Sequence, residues 1–182
     1  MSPESLRFPI ATERLHLRPY AAGDVDWMHR VFSRPDVTRY LLDPPWSREV
    51  AARKLDERMR RTGLETESGS LSLVAEFDGA PMGAFTLWRT DVMNHGAEIG
   101  WTLDPTHGGR GFAAEAARAL VGIAFDHYGL QRIAAQMDGR NAGSAKVAEA
   151  IGMRREALLR RSFHCKGEWT DNLVYGILRD DR

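Results

Sequence analysis

Asp104-Pro-Thr-His-Gly-Gly-Arg-Gly-Phe-Ala-Ala-Glu-Ala-Ala-Arg-Ala-Leu-Val-Gly-Ile-Ala-Phe-Asp-His127 reads as a strand end, a glycine-rich turn and an amphipathic helix. That order builds an anion site. Gly108, Gly109 and Gly111 let the backbone come close to a ligand in conformations that side chains forbid. The first helical turn offers unpaired N–H groups at the positive end of its dipole, where a phosphate or pyrophosphate fits. Phe112, Ala116, Leu120, Ile123 and Ala124 recur at helical spacing, so one face packs inward while Glu115 and Arg118 face solvent.

Neighbouring residues narrow the ligand. A nucleoside-triphosphate loop needs Gly-Lys-Ser/Thr at the helix start, whereas Gly111 is followed by Phe112 and Ala113. A dinucleotide fingerprint needs wider glycine spacing and an acidic residue ending the next strand. That strand reads Gln131-Arg-Ile-Ala-Ala-Gln136.

Gly108-Gly-Arg-Gly111-Phe-Ala113 resembles the pyrophosphate loop of the GNAT family of acyl-CoA-dependent N-acyltransferases, Gln/Arg-x-x-Gly-x-Gly/Ala, with Gly108 departing from the usual first residue. Three further segments resemble its RimJ/RimL-type branch. They are Ala11 to Pro19 as the opening strand; Asn141-Ala-Gly-Ser144 leading to Gly152-Met-Arg-Arg-Glu156, with Met153 in an aromatic position; and Lys166-Gly-Glu-Trp-Thr-Asp171 through Tyr175 as the closing hairpin. The four occur in the family's order over nearly the whole chain. The resemblance implies a mixed α/β fold with a mostly antiparallel sheet of about seven strands and helices on both faces.

It also implies a chemistry: acetyl transfer from acetyl-CoA, or another acyl from its CoA thioester, to a primary amine such as a peptide N-terminus or a small molecule. Gly108, Gly109, Arg110, Gly111, Phe112 and Ala113 would hold the pyrophosphate. The backbone of Trp101, Thr102 and Leu103 would pair with the pantetheine arm like an added strand. Glu98 then lies near the thioester, either as general base, directly or through water, or as a structural carboxylate. The family's usual leaving-group tyrosine is missing from residues 141–151. Ser144 is the available hydroxyl, either protonating the thiolate, with Asn141 bonding the arm, or serving as a helix N-cap. Phe163 to Trp169 reads as a polar and aromatic loop between the last strands, and Trp46, His164 and Trp169 are expected to wall the acceptor pocket on the side of the sheet opposite the CoA entry, core packing being the other fate of the tryptophans. A non-catalytic acyl-CoA-binding module is the competing reading.

Composition sets bounds. The 182 residues are 43% hydrophobic, enough for one substantial core, and no linker divides residues 1–182 into separate domains. Lys plus Arg equals Asp plus Glu at 25 each, so overall charge supplies no attraction to nucleic acid. Asp56 and Glu57 interrupt the cluster Arg53, Lys54, Arg58, Arg60 and Arg61, which reads as a solvated helix face. Cys165 is the sole cysteine, an ordinary strand or loop thiol, which rules out an intramolecular disulfide and fits a reducing cytoplasm. His95, His107, His127 and His164 lack metal-helix spacing, so no metal is expected. Pro3 and Glu4 argue against a signal peptide, and no apolar run approaches the ~20 residues needed to span a bilayer. Oligomeric state stays open, a homodimer being one outcome.

The order of elements follows from pattern. A strand around Leu15 and Leu17 precedes helices over 24–32 and 47–61, with Ser47 as an N-cap. A hairpin turns at Asp78-Gly79, and Ala97, Ile99, Trp101 and Leu103 share one face of the next strand, opposite Glu98, Gly100 and Thr102. After the glycine turn and its helix come the Gln131 strand, a helix from about Ser144, and two strands flanking Lys166-Gly167.

Overall fold

The computed structural model describes residues 6–91, 93 and 95–182; Pro3 and Glu4 lie outside them. The chain forms β1 (Ile10–Ala11), β2 (His16–Pro19), α1 (Val25–Phe32), α2 (Pro35–Thr38), α3 (Arg48–Met59), β3 (Thr62–Gly63), β4 (Ser70–Phe77), β5 (Ala80–Asp91) and β6 (Gly96–Leu103). It continues through α4 (Phe112–Asp126), β7 (Arg132–Asp138), α5 (Ala142–Ala150), β8 (Arg154–Cys165) and β9 (Glu168–Leu178). The strands form one sheet in the order β1-β2-β4-β5-β6-β7-β9-β8, with β3 paired to β4. The sheet therefore has nine strands among the described residues, seven of them longer than two residues, in keeping with the expected mixed, mostly antiparallel sheet of about seven. The additions, β1 and β3, are two residues each, too short to show an alternating pattern.

Local chemistry explains the elements. Asp78 and Gly79 take φ of +49° and +75°, and Phe77 faces Ala80, giving the two-residue turn whose twist suits a hairpin. Lys166 and Gly167, at φ +51° and +83°, repeat this turn between β8 and β9. Ser47 Oγ accepts the Val50 N–H at 3.3 Å and starts α3.

Period-2 alternation divides the hydrophobic residues between two faces. On one, Leu71, Leu73, Phe85, Leu87 and Ile99 pack against Phe112, Ala116, Leu120 and Ala124 of α4. On the other, Val74 and Ala84 meet Met28, Val31 and Phe32 of α1 and Ala51 and Leu55 of α3. Burying each large side chain contributes roughly 1.5–3 kcal/mol. Helices thus cover both faces.

Among the described residues only β6 and β7 run parallel, and they pair over three positions: Gly96 with Arg132, Ala97 with Ile133 and Glu98 with Ala134. Beyond them β6 stays with β5 as far as Leu103, opposite Gly83, while β7 stays with β9 as far as Asp138, opposite Asn172. The sheet splits there into two arms.

Candidate active site

The split opens a cleft of about 1170 Å³. Along it, the β7-facing edge of β6 past Glu98 carries backbone N–H and C=O groups that no strand among the described residues pairs. Such an edge accepts an extended ligand by strand addition. Glu98, Gly100 and Thr102 line the cleft beside Trp88, Thr86 and Ala84, their β5 partners. A Cβ on Gly100 would meet the Trp88 ring at 3.3 Å, so the glycine keeps room for that indole.

Glu98 lies where the strands part. Burial pushes its carboxyl above the ordinary range, opposed by a hydrogen bond that Gln136 Nε2 donates to Oε2 at 3.2 Å. Gln136 Oε1 in turn accepts from Asn172 Nδ2 at 2.7 Å, so one polar chain spans both arms. Sequence reasoning missed Gln136, although alternation held the signal: Ala134 pairs with Glu98, and Gln136 lies two residues further on the same face.

Asp104 ends β6 and organises the glycine turn. It is 1% exposed and accepts the Thr106 N–H at 3.1 Å, the Thr106 hydroxyl at 2.8 Å and Arg30 Nη1 of α1 at 2.9 Å. Gly109 and Gly111 follow with φ of +73° and +79°, and Gly111 caps α4 in the left-handed region that favours glycine. Residues 108–111 are exposed, while Phe112 and Ala113 are buried. Arg110 lies over the Phe77 and Phe112 rings, and its carbonyl accepts from Arg14 Nη1 at 3.0 Å. Glu115 does not simply face solvent. It binds the Thr12 hydroxyl at 2.6 Å and Arg14, tying the N-terminal segment to the loop. Arg118 likewise bonds the Ala150 carbonyl at the end of α5.

At α5 the cap is Asn141, whose Oδ1 accepts the Ser144 N–H at 3.0 Å, so the helix begins before Ser144. This corrects the N-cap reading of Ser144. Asn141 and Ser144 line the cleft, and the Ser144 hydroxyl bonds no described residue.

Opposite, Trp46 is 5% exposed, stacks on Phe32 at 4.1 Å and contributes to the cleft wall while packing in the core. His164 and Trp169 do not line this cleft. They face each other across the β8–β9 turn with ring centroids 5.0 Å apart, and Trp169 is 63% exposed. Because the segment forms strands joined by a two-residue turn, alternation sends His164 and Trp169 to the other face and Phe163, Cys165 and Thr170 to the cleft. The turn reaches across the cleft: Cys165 Sγ approaches the Leu41 carbonyl at 3.6 Å, and Lys166 Nζ bonds the Thr38 carbonyl. The cluster expected as a solvated face also departs from that reading, since Arg58, Arg60 and Arg61 border the cleft.

The structure thus brings Glu98, Trp101, Thr102, Asn141, Ser144 and Trp46 around one space. Leu103 and residues 108–113 lie beyond its end, where β6 leads into the glycine turn. Among the described residues no group of three or more His, Cys, Asp or Glu is placed to hold a metal ion. Among them, too, no helix is long and apolar enough to cross a membrane.

Comparison with known proteins agrees with this geometry. The acetyltransferase (GNAT) domain family matches residues 14–154. The chain is 30% identical to the uncharacterised N-acetyltransferase p20 of Bacillus licheniformis over 93% of its own length and 96% of that protein's. A GNAT-family acetyltransferase structure from Bacillus anthracis superposes with a TM-score of 0.85 at 28% identity, covering 94% of this chain and 98% of that one. A RimL ribosomal-protein acetyltransferase in complex with coenzyme A shares the fold, with a TM-score of 0.83 at 17% identity over 96% and 99% of the two chains.

Proposed function

This chain belongs to the GNAT acetyltransferase family, and from that premise we propose that it transfers acetyl from acetyl-CoA to a primary amine by direct attack on the thioester in the β6–β7 cleft. The observation that carries the reading is the open β6 edge beyond Glu98, leading into the left-handed Gly111 at the start of α4. An extended amide-bearing arm suits the edge, and a pyrophosphate suits the N–H groups of the first helical turn.

Each residue then has a task. The backbone of Trp101, Thr102 and Leu103 holds the arm, and residues 108–113 hold the pyrophosphate. Glu98 takes the proton lost by the attacking nitrogen, directly or through water, and a β6 N–H polarises the thioester carbonyl. The nitrogen–acyl bond forms as the carbon–sulfur bond breaks. Ser144 donates a proton to the departing sulfur, and the proton on Glu98 returns to Ser144 through solvent. Asn141 Oδ1 is occupied by the cap, which leaves its Nδ2 for the arm.

The same reading takes the 182 residues as one acyltransferase domain acting in the cytoplasm on a small amine or a peptide N-terminus, without a metal. Both sheet faces sharing one continuous set of strands support the first of these. A mass-spectrometric screen of amines and peptides with acetyl-CoA and succinyl-CoA tests the proposal. The expected product is an amine heavier by one acetyl group, formed only with enzyme; no acylated product from any pairing would refute it.

A further inference from the structure

The cleft wall opposite Glu98 carries unneutralised positive charge. Arg58 of α3 lies over three aromatic rings, its Cζ 4.9 Å from the Phe32 centroid, 5.3 Å from Trp46 and 5.5 Å from Tyr20. Its Nη1 donates to the buried Tyr20 hydroxyl at 2.9 Å. Arg60 and Arg61 extend the same wall, and among the described residues no carboxylate forms an ion pair with any of the three.

The carboxylates around the cleft are mostly committed elsewhere. Asp43 and Glu57 flank Lys54 at 3.5 and 3.8 Å. Asp138 and Glu168 hold Arg140 at 2.7 and 2.9 Å. Asp171 accepts the Arg161 N–H at 2.8 Å. Among the described residues the Glu98 carboxylate bonds only Gln136, and it lies where transfer would occur. A polyamine would bring its remaining positive charges against the arginine wall, where, of the described carboxylates lining the cleft, Asp171 and Glu98 alone have no cationic partner.

Arg58 is prepared for an anion in three ways. Its ring contacts fix the guanidinium plane, so little conformational freedom is lost on binding. Its one side-chain hydrogen bond among the described residues, to Tyr20, leaves the other donors of the fork available. The aromatic surroundings lower the local dielectric and strengthen a charge-assisted pair. They favour a singly charged, delocalised carboxylate over a doubly charged, strongly hydrated phosphate. The pyrophosphate loop is no competitor for this arginine. Arg58 stands over the Phe32–Trp46 pair on the α1–α3 face of the sheet, while α4, which begins at Gly111, packs on the other.

We propose that the acceptor is an amine that also carries a carboxylate, with the amine at Glu98 and the carboxylate on Arg58, Arg61 assisting. This rests on the acetyl-transfer reading, so binding and turnover are measured apart. Peptides Ser-Asp-Ala and Ser-Asn-Ala, free at the N-terminus and amidated at the C-terminus, are titrated calorimetrically into the CoA-loaded protein, with β-alanine against β-alaninamide as the small-molecule arm and spermidine as the cationic control. At least one acidic member should bind about tenfold or more tightly than its amide. Arg58→Met should bring that ratio close to one, and Arg58→Lys should restore part of it. Equal affinity within both pairs of the unaltered protein, or tighter binding of spermidine, would overturn the proposal whether or not any variant folds. Tight acidic binding without acetylation would instead refute the transfer reading.

Discussion

Replacing Asp104 with Asn tests the joint between the sheet and the glycine turn. Asp104 is 1% exposed and receives two bonds from Thr106 and one from Arg30. Asn keeps the volume and one acceptor oxygen but loses the charge and cannot satisfy all three donors. A hydrogen bond to a charged group contributes about 1.5–3 kcal/mol. The Arg30 side chain is 59% exposed, which places its share at the low end. A net loss of about 2 kcal/mol follows, or about 4–8 °C in Tm for a chain of this size. The effect should depend on pH with a definite sign. Burial pushes the Asp104 carboxyl up, but the Thr106 bonds and the Arg30 charge outweigh it and hold the group below the ordinary Asp value. A lowered carboxyl stabilises the fold above its unfolded value and loses that contribution as pH falls through the folded one. The difference between wild type and Asp104→Asn should therefore be full at pH 7 and shrink below about pH 4. Urea unfolding followed by tryptophan fluorescence at several pH values reads it directly, provided the slopes agree. Acetyl-CoA affinity should also fall, because the turn that Asp104 fixes leads into residues 108–111. A difference under about 0.5 kcal/mol at pH 7, or one independent of pH, would refute the reasoning.

Three other substitutions address the chemistry. Glu98→Gln should retain CoA binding and lower turnover by about 10²-fold or more. It should also abolish the rise of kcat/KM with pH, which in the wild type lies above the ordinary Glu range because burial raises the carboxyl; an unchanged profile removes Glu98 from the mechanism. Gly111→Ala forces a side chain into φ +79° at a strain of about 1–2 kcal/mol. Calorimetry should show acetyl-CoA binding weakened by about tenfold, and full affinity would mean that the loop does not hold the pyrophosphate. Ser144→Ala should leave Tm nearly unchanged, since Asn141 is the cap, while kcat falls; intact kcat with intact stability takes the hydroxyl out of the reaction.

Local chemistry made much of this fold legible. Asp78-Gly79 forces a hairpin whatever surrounds it, and Phe112, Ala116, Leu120 and Ala124 mark an inward helix face by spacing alone. The two-residue strands β1 and β3 exist only through their partners, and nothing within Ile10–Ala11 or Thr62–Gly63 specifies them. Asn141 and Ser144 both suit an N-cap, and only the observed Asn141 Oδ1 bond to the Ser144 N–H decides between them. In the site, strand face governed success and failure. Glu98 was legible because β6 alternates regularly. His164 and Trp169 were misplaced because residues 163–169 read as a loop, in which side-chain direction is free, whereas strands and a tight turn fix it. Arg58 was legible from sequence only as part of a solvated helix face, not as a residue of the site. Its contacts with Tyr20, Phe32 and Trp46 join residues 12 to 38 positions apart, and a charged residue on α3 looks like any solvated one until those rings surround it.

Initial-rate kinetics with acetyl-CoA and the amine varied together test direct transfer in the cleft most closely. The account predicts intersecting double-reciprocal lines, because donor and acceptor must occupy the space between β6 and β7 at once. Parallel lines, the mark of a covalent acyl-enzyme formed before the amine binds, would contradict it.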